Sequence, residues 1–311
     1  MVYAPGPRGV QPANLVYSSG LPGTRAARVA PSRQPATGAW PAGRKSPWRN
    51  TTAFLASTWT SATCTGSGGR FRGARGMVRA MAQPWQTLAT VATAEGPLEL
   101  RQRGERDFLI VIGGRVLMTS DARRSEEALA TLAAAPLRGR PHPRVLIGGL
   151  GMGYTLRAAL DAFGPTARVA VAELTPAVAD WCRGPLAVLT GGAAADPRTE
   201  IVEGDVARVI GRARAGYDAI LLDLYEGPNP ATQGKDDPFY GSAALARSHA
   251  ALRPGGVLAI WAEDPDAAFP RRFGAAGFTV TTHRAGKGGR AHIVYVGVRA
   301  DAPQGRGARA G

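Results

Sequence analysis

The 311-residue chain carries 38 Lys and Arg against 23 Asp and Glu, a formal charge of +15, which is the overall balance of a nucleic-acid binder. The excess is local, however: residues 1–80 hold 11 basic and no acidic side chains, while residues 81–311 hold 27 and 23, a net of only +4, so the body gives no electrostatic argument for nucleic acid. Two distant cysteines (Cys64 and Cys182), four scattered histidines and the lack of any apolar run of about 18 residues exclude a disulfide framework, a paired-cysteine metal motif and a membrane-spanning helix.

Residues 1–80 are rich in Pro, Gly, Ser, Arg and Ala without periodicity. Such a composition does not bury enough apolar surface to offset ordering entropy, and a disordered leader is expected. An acid-free, Arg- and Ser-rich leader also has the composition of an organellar transit peptide. The alternative is a true start at Met77 or Met81, and we favour it because the segment shows no amphipathic helix. No apolar stretch of the secretory kind follows Met1, and a cytoplasmic location is expected.

Residues 85–122 read as a small N-terminal β domain. Leu98–Gln102 and Asp107–Ile112 are strand candidates, and Gly113-Gly114 supplies a two-residue turn into Arg115–Met118. A helix over Arg124–Ala135 places Ala128, Leu129, Leu132 and Ala133 on one side. From Arg144 onward strands and helices alternate. Strands are expected at 145–147, 169–172, 199–202, 219–222 and 257–261, and helices at 156–162, 176–183, 205–212 and 242–252. Pro254-Gly255-Gly256 reads as a stop-and-turn before the fifth of these strands. A helix at 267–275 and strands at 278–282 and 292–297 close residues 123–299 as a Rossmann-like nucleoside-binding domain. The last two strands form an antiparallel edge on a mostly parallel, seven-stranded α/β sheet. Residues 300–311 are expected to be a disordered tail.

The stretch around which the domain is organised is Arg144-Val-Leu-Ile-Gly148-Gly149-Leu150-Gly151-Met152-Gly153. An apolar strand runs into glycines and then a helix, so backbone can approach a ligand closely and helix N–H groups face it. Glu173 ends the next strand, 20 residues after Gly153, where a ribose diol is gripped in such folds. Asp205, just after the third strand, suits a helix cap and also an adenine-amine acceptor. Asp223 ends the apolar run Ile220-Leu221-Leu222, where a carboxylate's pKa would rise and suit a general base. Tyr225 and Glu226 follow as candidate substrate contacts. Met152, Trp261 and Cys182 are read as packing residues, and Arg123-Arg124 and Arg271-Arg272 as solvated faces.

These residues carry a resemblance. From about Glu99 to Val298 the chain resembles the spermidine/spermine synthase (polyamine aminopropyltransferase) family. It does so through the glycine loop, Val171-Ala172-Glu173, Glu203-Gly204-Asp205, Tyr217–Asp223 and Leu252–Leu258. Most of these also fit any class I S-adenosylmethionine-dependent methyltransferase. The hairpin domain and the acidic loop after strand four are the family-specific parts. The resemblance implies decarboxylated S-adenosylmethionine as co-substrate, held by Gly148, Gly149, Gly151, Gly153, Glu173 and Asp205, with no permanently bound cofactor or metal. It implies Asp223 as the base that deprotonates an attacking small-molecule amine, and Tyr225 and Glu226 beside that amine. A homodimer is compatible with it; nucleic-acid and membrane partners are not expected. Three features depart from the family: its glycine loop carries an Asp where this chain has Gly151, its Asp-Ser-Ser-Asp-Pro loop reads Asp223-Leu-Tyr-Glu-Gly here, and a tyrosine is replaced. Its Tyr before the first domain helix falls near Ser125. Of the acids that could read a cationic amine, Asp121, Glu126, Glu127, Asp223 and Glu226 are present. A methyltransferase using intact S-adenosylmethionine is the alternative function, and a non-catalytic nucleoside-binding module the second alternative.

Overall fold

The computed structural model describes residues 83–121, 123–225, 227–232, 234–286 and 292–300. The expected leader, the expected tail beyond Ala300 and the position of Glu226 lie outside these residues.

Four antiparallel strands come first: β1 (Gln86–Thr93), β2 (Gly96–Arg103), β3 (Asp107–Ile112) and β4 (Arg115–Thr119), paired in that order. The expected Gly113-Gly114 turn is present, with both residues at positive φ (52° and 81°), as a two-residue hairpin of this hand requires. Strand alternation then sorts the side chains. Leu98 and Leu100 on β2 and Phe108, Ile110 and Ile112 on β3 are buried and join the core beneath the larger sheet. β1 is an addition to the strands read from sequence; its mostly exposed pattern gave the apolar periodicity little to register.

Helix α1 (Arg124–Ala134) buries Leu129, Ala130 and Ala133 and leads into the second sheet. That sheet contains β5 (Arg144–Gly148), β6 (Arg168–Glu173), β7 (Thr199–Glu203), β8 (Tyr217–Leu222), β9 (Leu252–Ala262), β10 (Phe278–Ala285) and β11 (His292–Arg299), in the spatial order β10-β11-β9-β8-β5-β6-β7. β9, β8, β5, β6 and β7 are parallel, and β11 and β10 run antiparallel. Between the parallel strands lie α2 (Tyr154–Ala162), α3 (Pro176–Arg183), the short α4 (Ala187–Thr190), α5 (Val206–Arg212) and α6 (Ser242–Ala251), with α7 (Phe269–Ala275) before β10. The seven-stranded α/β sheet with an antiparallel edge is therefore as expected.

Pro254-Gly255-Gly256 differs from its sequence reading. It lies inside β9 rather than before it. The ladder pairs Tyr217 with Leu252, breaks, and resumes at Ala219 with Val257. Proline has no N–H for the ladder, so the strand bulges there instead of ending.

The chain leaves β5 toward β6 and β7, then crosses back to lay β8 on the other side of β5. The strand order reverses between β5 and β8, and in open α/β sheets the crevice beyond the carboxyl ends of such a pair receives the ligand. At the opposite end of β8, Asp218 is wholly buried, yet fully partnered. It accepts from Arg140 Nη1 (2.7 Å), Arg253 Nη1 (3.0 Å) and the backbone N–H of Arg144 (2.7 Å).

Candidate active site

The glycine loop leaves β5 with Gly149, Gly151 and Gly153 at positive φ (87°, 52° and 82°), and the last of them caps α2. Gly148 is needed for space rather than angle: a Cβ there would lie 3.0 Å from Val206 Cγ2 and 3.1 Å from Leu222 Cδ2. Two polar contacts hold the loop in place, and a third fixes the carboxylate that makes one of them. Glu173 Oε2 accepts the N–H of Leu150 at 2.9 Å, Glu173 Oε1 accepts the N–H of Thr175 at 2.8 Å, and the Cys182 thiol donates to the Gly151 carbonyl at 3.3 Å. Burial pushes that thiol up to about 12, so it stays protonated and acts as a donor. Glu173 is only 1 % exposed. Its carboxylate lies under the loop as a clamp, and its two oxygens retain further lone pairs after accepting one amide each.

Asp205 is the N-cap of α5, accepting the Ala207 N–H at 2.8 Å, and the next residue, Val206, packs against Gly148. Asp223 sits one residue past β8. Its backbone N–H donates to the Gly148 carbonyl at 3.0 Å, and its Oδ2 accepts from the Thr155 hydroxyl on α2 at 2.6 Å. The expected positions therefore fall on four adjacent strand ends: Asp223 after β8, the glycines after β5, Glu173 at the end of β6 and Asp205 after β7.

Beyond β8 and β5 opens a cavity of ≈ 330 Å³. Gly151, Asp223 and Tyr225 line it from the large sheet; Met118 and its neighbours on β4 line it from the small one. Glu173 and Asp205 are not among its walls. Arg115 of β4 stacks its guanidinium 4.8 Å from the centre of the Tyr225 ring, and the Tyr154 hydroxyl donates to the Ser120 carbonyl at 2.6 Å. The hairpin sheet is thus pinned over the glycine loop from both directions.

Gly151 shows how close the two sheets come. A Cβ on it would lie 2.7 Å from Met118 Sδ and 3.2 Å from Cε, and its φ of 52° already disfavours a side chain. Gly151→Ala is expected to destabilise the protein by roughly 1–2 kcal/mol, with the midpoint of urea unfolding as the readout. In the Met118→Ala background only the backbone part of that loss should remain.

The cavity also brings in a residue that the sequence reading treated only as one of several remaining acids. Glu126, in the first turn of α1, is 9 % exposed and lines the same space as Asp223. It accepts from the Ser125 hydroxyl at 2.7 Å. Burial first, then the negative charge of Asp223, pushes its carboxyl up to about 7, against the pull of the Ser125 hydrogen bond. Burial likewise raises Asp223, opposed by the bond from Thr155. Coulomb repulsion is mutual, so Glu126 acts on Asp223 in the same sense. Trp261 and His292, their ring centres 5.0 Å apart, complete the wall. The buried Nε1 of Trp261 and Nδ1 of His292 find no hydrogen-bond partner among the described residues. Trp261 is thus a wall residue as well as a packing one. No sequence motif marked it or His292, because only the β9–β11 pairing brings them together. Arg272 is also less solvated than read from sequence: it donates to the Tyr240 carbonyl at 3.0 Å and lies over the Phe269 ring.

The raised Glu126 carboxyl has a stability consequence with a definite sign. The folded state keeps a proton that the unfolded chain has lost above about 4.5, so this contribution is complete below that pH and disappears as the pH rises through about 7. Glu126→Gln is therefore expected to gain stability over the parent between pH 5 and pH 8, by on the order of 2–3 kcal/mol in paired urea titrations.

Among the described residues no group of three or more His, Cys, Asp or Glu is placed to hold a metal ion. No helix among them is long and apolar enough to cross a membrane.

No protein-family model matches the chain. Putrescine N-methyltransferase 3 of Nicotiana tabacum is 36% identical over 130 residues, covering 41% of this chain and 32% of the relative. Polyamine aminopropyltransferase 2 of Streptomyces coelicolor is 34% identical over 211 residues, covering 63% and 36%. The chain thus spans about a third of the length of these curated relatives. The crystal structure of spermidine synthase from Thermotoga maritima superposes with a TM-score of 0.56 at 19% identity, covering 70% of this chain and 74% of that one. The chain is therefore related in sequence to polyamine aminopropyltransferases and putrescine N-methyltransferases, and its fold is that of the spermidine synthases.

Proposed function

We propose, from this kinship and the chemistry of the cavity, that the protein is a transferase that alkylates a small amine with an adenosyl sulfonium. The observation that carries the reading is a contrast between two acids on one strand. Asp218 at the start of β8 is buried against two arginines. Asp223 at its end, and Glu126 in the wall of the same cavity, accept instead from the neutral hydroxyls of Thr155 and Ser125. Carboxylates that line a cavity and are held by neutral hydroxyls are a binding place for a cationic group brought from outside.

In this reading the nucleoside lies across the carboxyl ends of β5, β6 and β7. Gly148, Gly149, Gly151 and Gly153 let the chain approach it. The spare lone pairs of Glu173 receive ribose hydroxyls, and Asp205 faces the adenine amine while capping α5. The acceptor enters as R–NH3+, with Tyr225 beside it, and yields a proton to Asp223. The freed nitrogen lone pair attacks the methylene carbon next to the sulfonium. A C–N bond forms, and the C–S bond breaks with its electron pair going to sulfur. 5′-Methylthioadenosine leaves, and the product is a secondary ammonium; one proton is released overall. The donor, decarboxylated S-adenosylmethionine, already carries its leaving group, so the protein positions the partners and accepts the proton.

One observation favours a second reading, methyl transfer from intact S-adenosylmethionine. Where the glycine loop could offer an acid, it has Gly151, and Met118 fills the space a side chain would take. No loop carboxylate repels a carboxylated donor. Identifying the nucleoside product separates the two: 5′-methylthioadenosine with an aminopropylated amine supports the first reading, S-adenosylhomocysteine with a methylated amine the second. If neither product forms from either donor across a panel of amines, both fail.

A further inference from the structure

We propose that Glu126 and Asp223 work as one unit, a carboxyl pair contributed by two different elements that cradles the acceptor's ammonium and takes its proton. The inference deepens the amine-alkylation reading and rests on it. Glu126 belongs to the first turn of α1 and Asp223 to the loop after β8, and the fold brings both to the wall of one cavity. Each has a single hydroxyl partner from its own side, Ser125 for Glu126 and Thr155 for Asp223. Those hydroxyls hold Oε2 of Glu126 and Oδ2 of Asp223, and a carboxylate's several lone pairs leave room for a ligand as well. An ammonium has three N–H donors, so two carboxyls can hold it while its remaining face turns toward the glycine loop at Gly151.

The described charged and titratable groups around the pair include Tyr240, a buried phenol on which the charge of Asp223 acts, and several others. On α1, Glu127 adds a small negative contribution at Glu126 and is held in a surface ion pair with Arg123. On α2, the Tyr154 hydroxyl is engaged with the Ser120 carbonyl. On β4, Arg115 lies over Tyr225. Beyond β9 and at the start of β11, Glu263 and His292 line the same cavity.

The proton balance follows from the pair. Burial raises both carboxyls, Glu126 to about 7, and the charge of Asp223 adds to the rise at Glu126, so the pair resists losing its last proton. Entry of R–NH3+ compensates the second charge and drives that proton out to water. Asp223 then takes a proton from the ammonium, and the lone pair attacks. The new secondary ammonium leaves with the product, and Asp223 returns its proton to the pair. Glu126 thus serves in two ways: it binds the ammonium, and its charge keeps Asp223 basic enough to accept the proton.

The test uses the full-length protein with Glu126→Gln, which keeps the shape and the acceptor for Ser125, and with Glu126→Asp. Glu126→Gln is expected to raise the amine KM roughly tenfold and to move the acidic limb of the kcat/KM–pH profile down by about one unit, with the nucleoside donor's KM unchanged. Glu126→Asp should restore part of both. A Gln variant with the parent's amine KM and pH profile would overturn the pair. A parallel ¹³C carboxyl titration of the free protein keeps this result separate from the reaction itself. If the parent alkylates no amine, the reading of the function fails; the pair is then upheld if Asp223 titrates lower in Glu126→Gln than in the parent, and overturned if its titration does not move.

Discussion

Asp223→Asn is expected to lower turnover about a thousandfold while leaving nucleoside affinity within a few-fold of the parent. The amide keeps the volume of the carboxyl and an oxygen for the Thr155 hydroxyl, which donates to Asp223 at 2.6 Å, so local geometry should survive. What disappears is the acceptor for the ammonium's proton and one of two negative charges at the cavity wall. An ammonium has no lone pair, so an acceptor that stays protonated does not attack carbon. The loss should therefore fall mainly on kcat at neutral pH. It should shrink as the pH approaches the free amine's own pKa, where solvent deprotonates the amine without help. A variant retaining the parent's neutral-pH turnover would remove Asp223 from the mechanism. Nor can such a loss be ascribed to unfolding, because removing a carboxyl whose ionisation burial opposes should not weaken the fold.

Asp218→Ala is expected to show the converse, a loss of about 3 kcal/mol in stability, equivalent to a fall of roughly 6–12 °C in Tm for a domain of this size, with little change in turnover per folded molecule. Asp218 is wholly buried between Arg140, Arg253 and the Arg144 N–H. Removing it leaves two guanidinium groups facing each other and an amide without its acceptor. The arginines are partly exposed and can regain water, which keeps the expected loss at the lower end for a broken buried pair. Asp218 and Asp223 stand at opposite ends of one strand, so the two variants separate a structural acid from a reacting one within five residues. Differential scanning calorimetry and a turnover assay on the same preparations read both.

How much of this was legible in the sequence varies with the physics of each feature. The parallel core was legible because its strands are buried on both faces and read as continuous apolar runs, such as Val145-Leu146-Ile147 and Ile220-Leu221-Leu222. The hairpin at Gly113-Gly114 was legible because its turn needs two positive-φ residues. β1 was not, because an edge strand with a mostly exposed pattern leaves little periodic signal. The strand-end residues could be placed because the carboxyl ends of parallel strands share one edge. Glu126 could be counted as an acid but not seen as the neighbour of Asp223. Nearly a hundred residues separate them, and only the packing of α1 beside β8 and β9 closes that gap. Trp261 and His292 likewise meet only through antiparallel pairing at the sheet edge. The clamp formed by Glu173 on Leu150 was hidden for a further reason: a strand-end acid offers the same letter to a backbone amide as to a ribose.

The measurement that bears most directly on the central claim follows an isotopic label from the donor to the amine. Parent protein and Asp223→Asn would each be incubated with amines and with S-adenosylmethionine carrying a labelled methyl group, or with its decarboxylated form carrying a labelled propylamine group. Mass spectrometry of the amine products would then locate the label. The account predicts label on the acceptor nitrogen with the parent, and nearly none with Asp223→Asn although that variant still binds the nucleoside. Equal labelling by the two proteins, or an unlabelled amine from a parent that binds the donor, would contradict it.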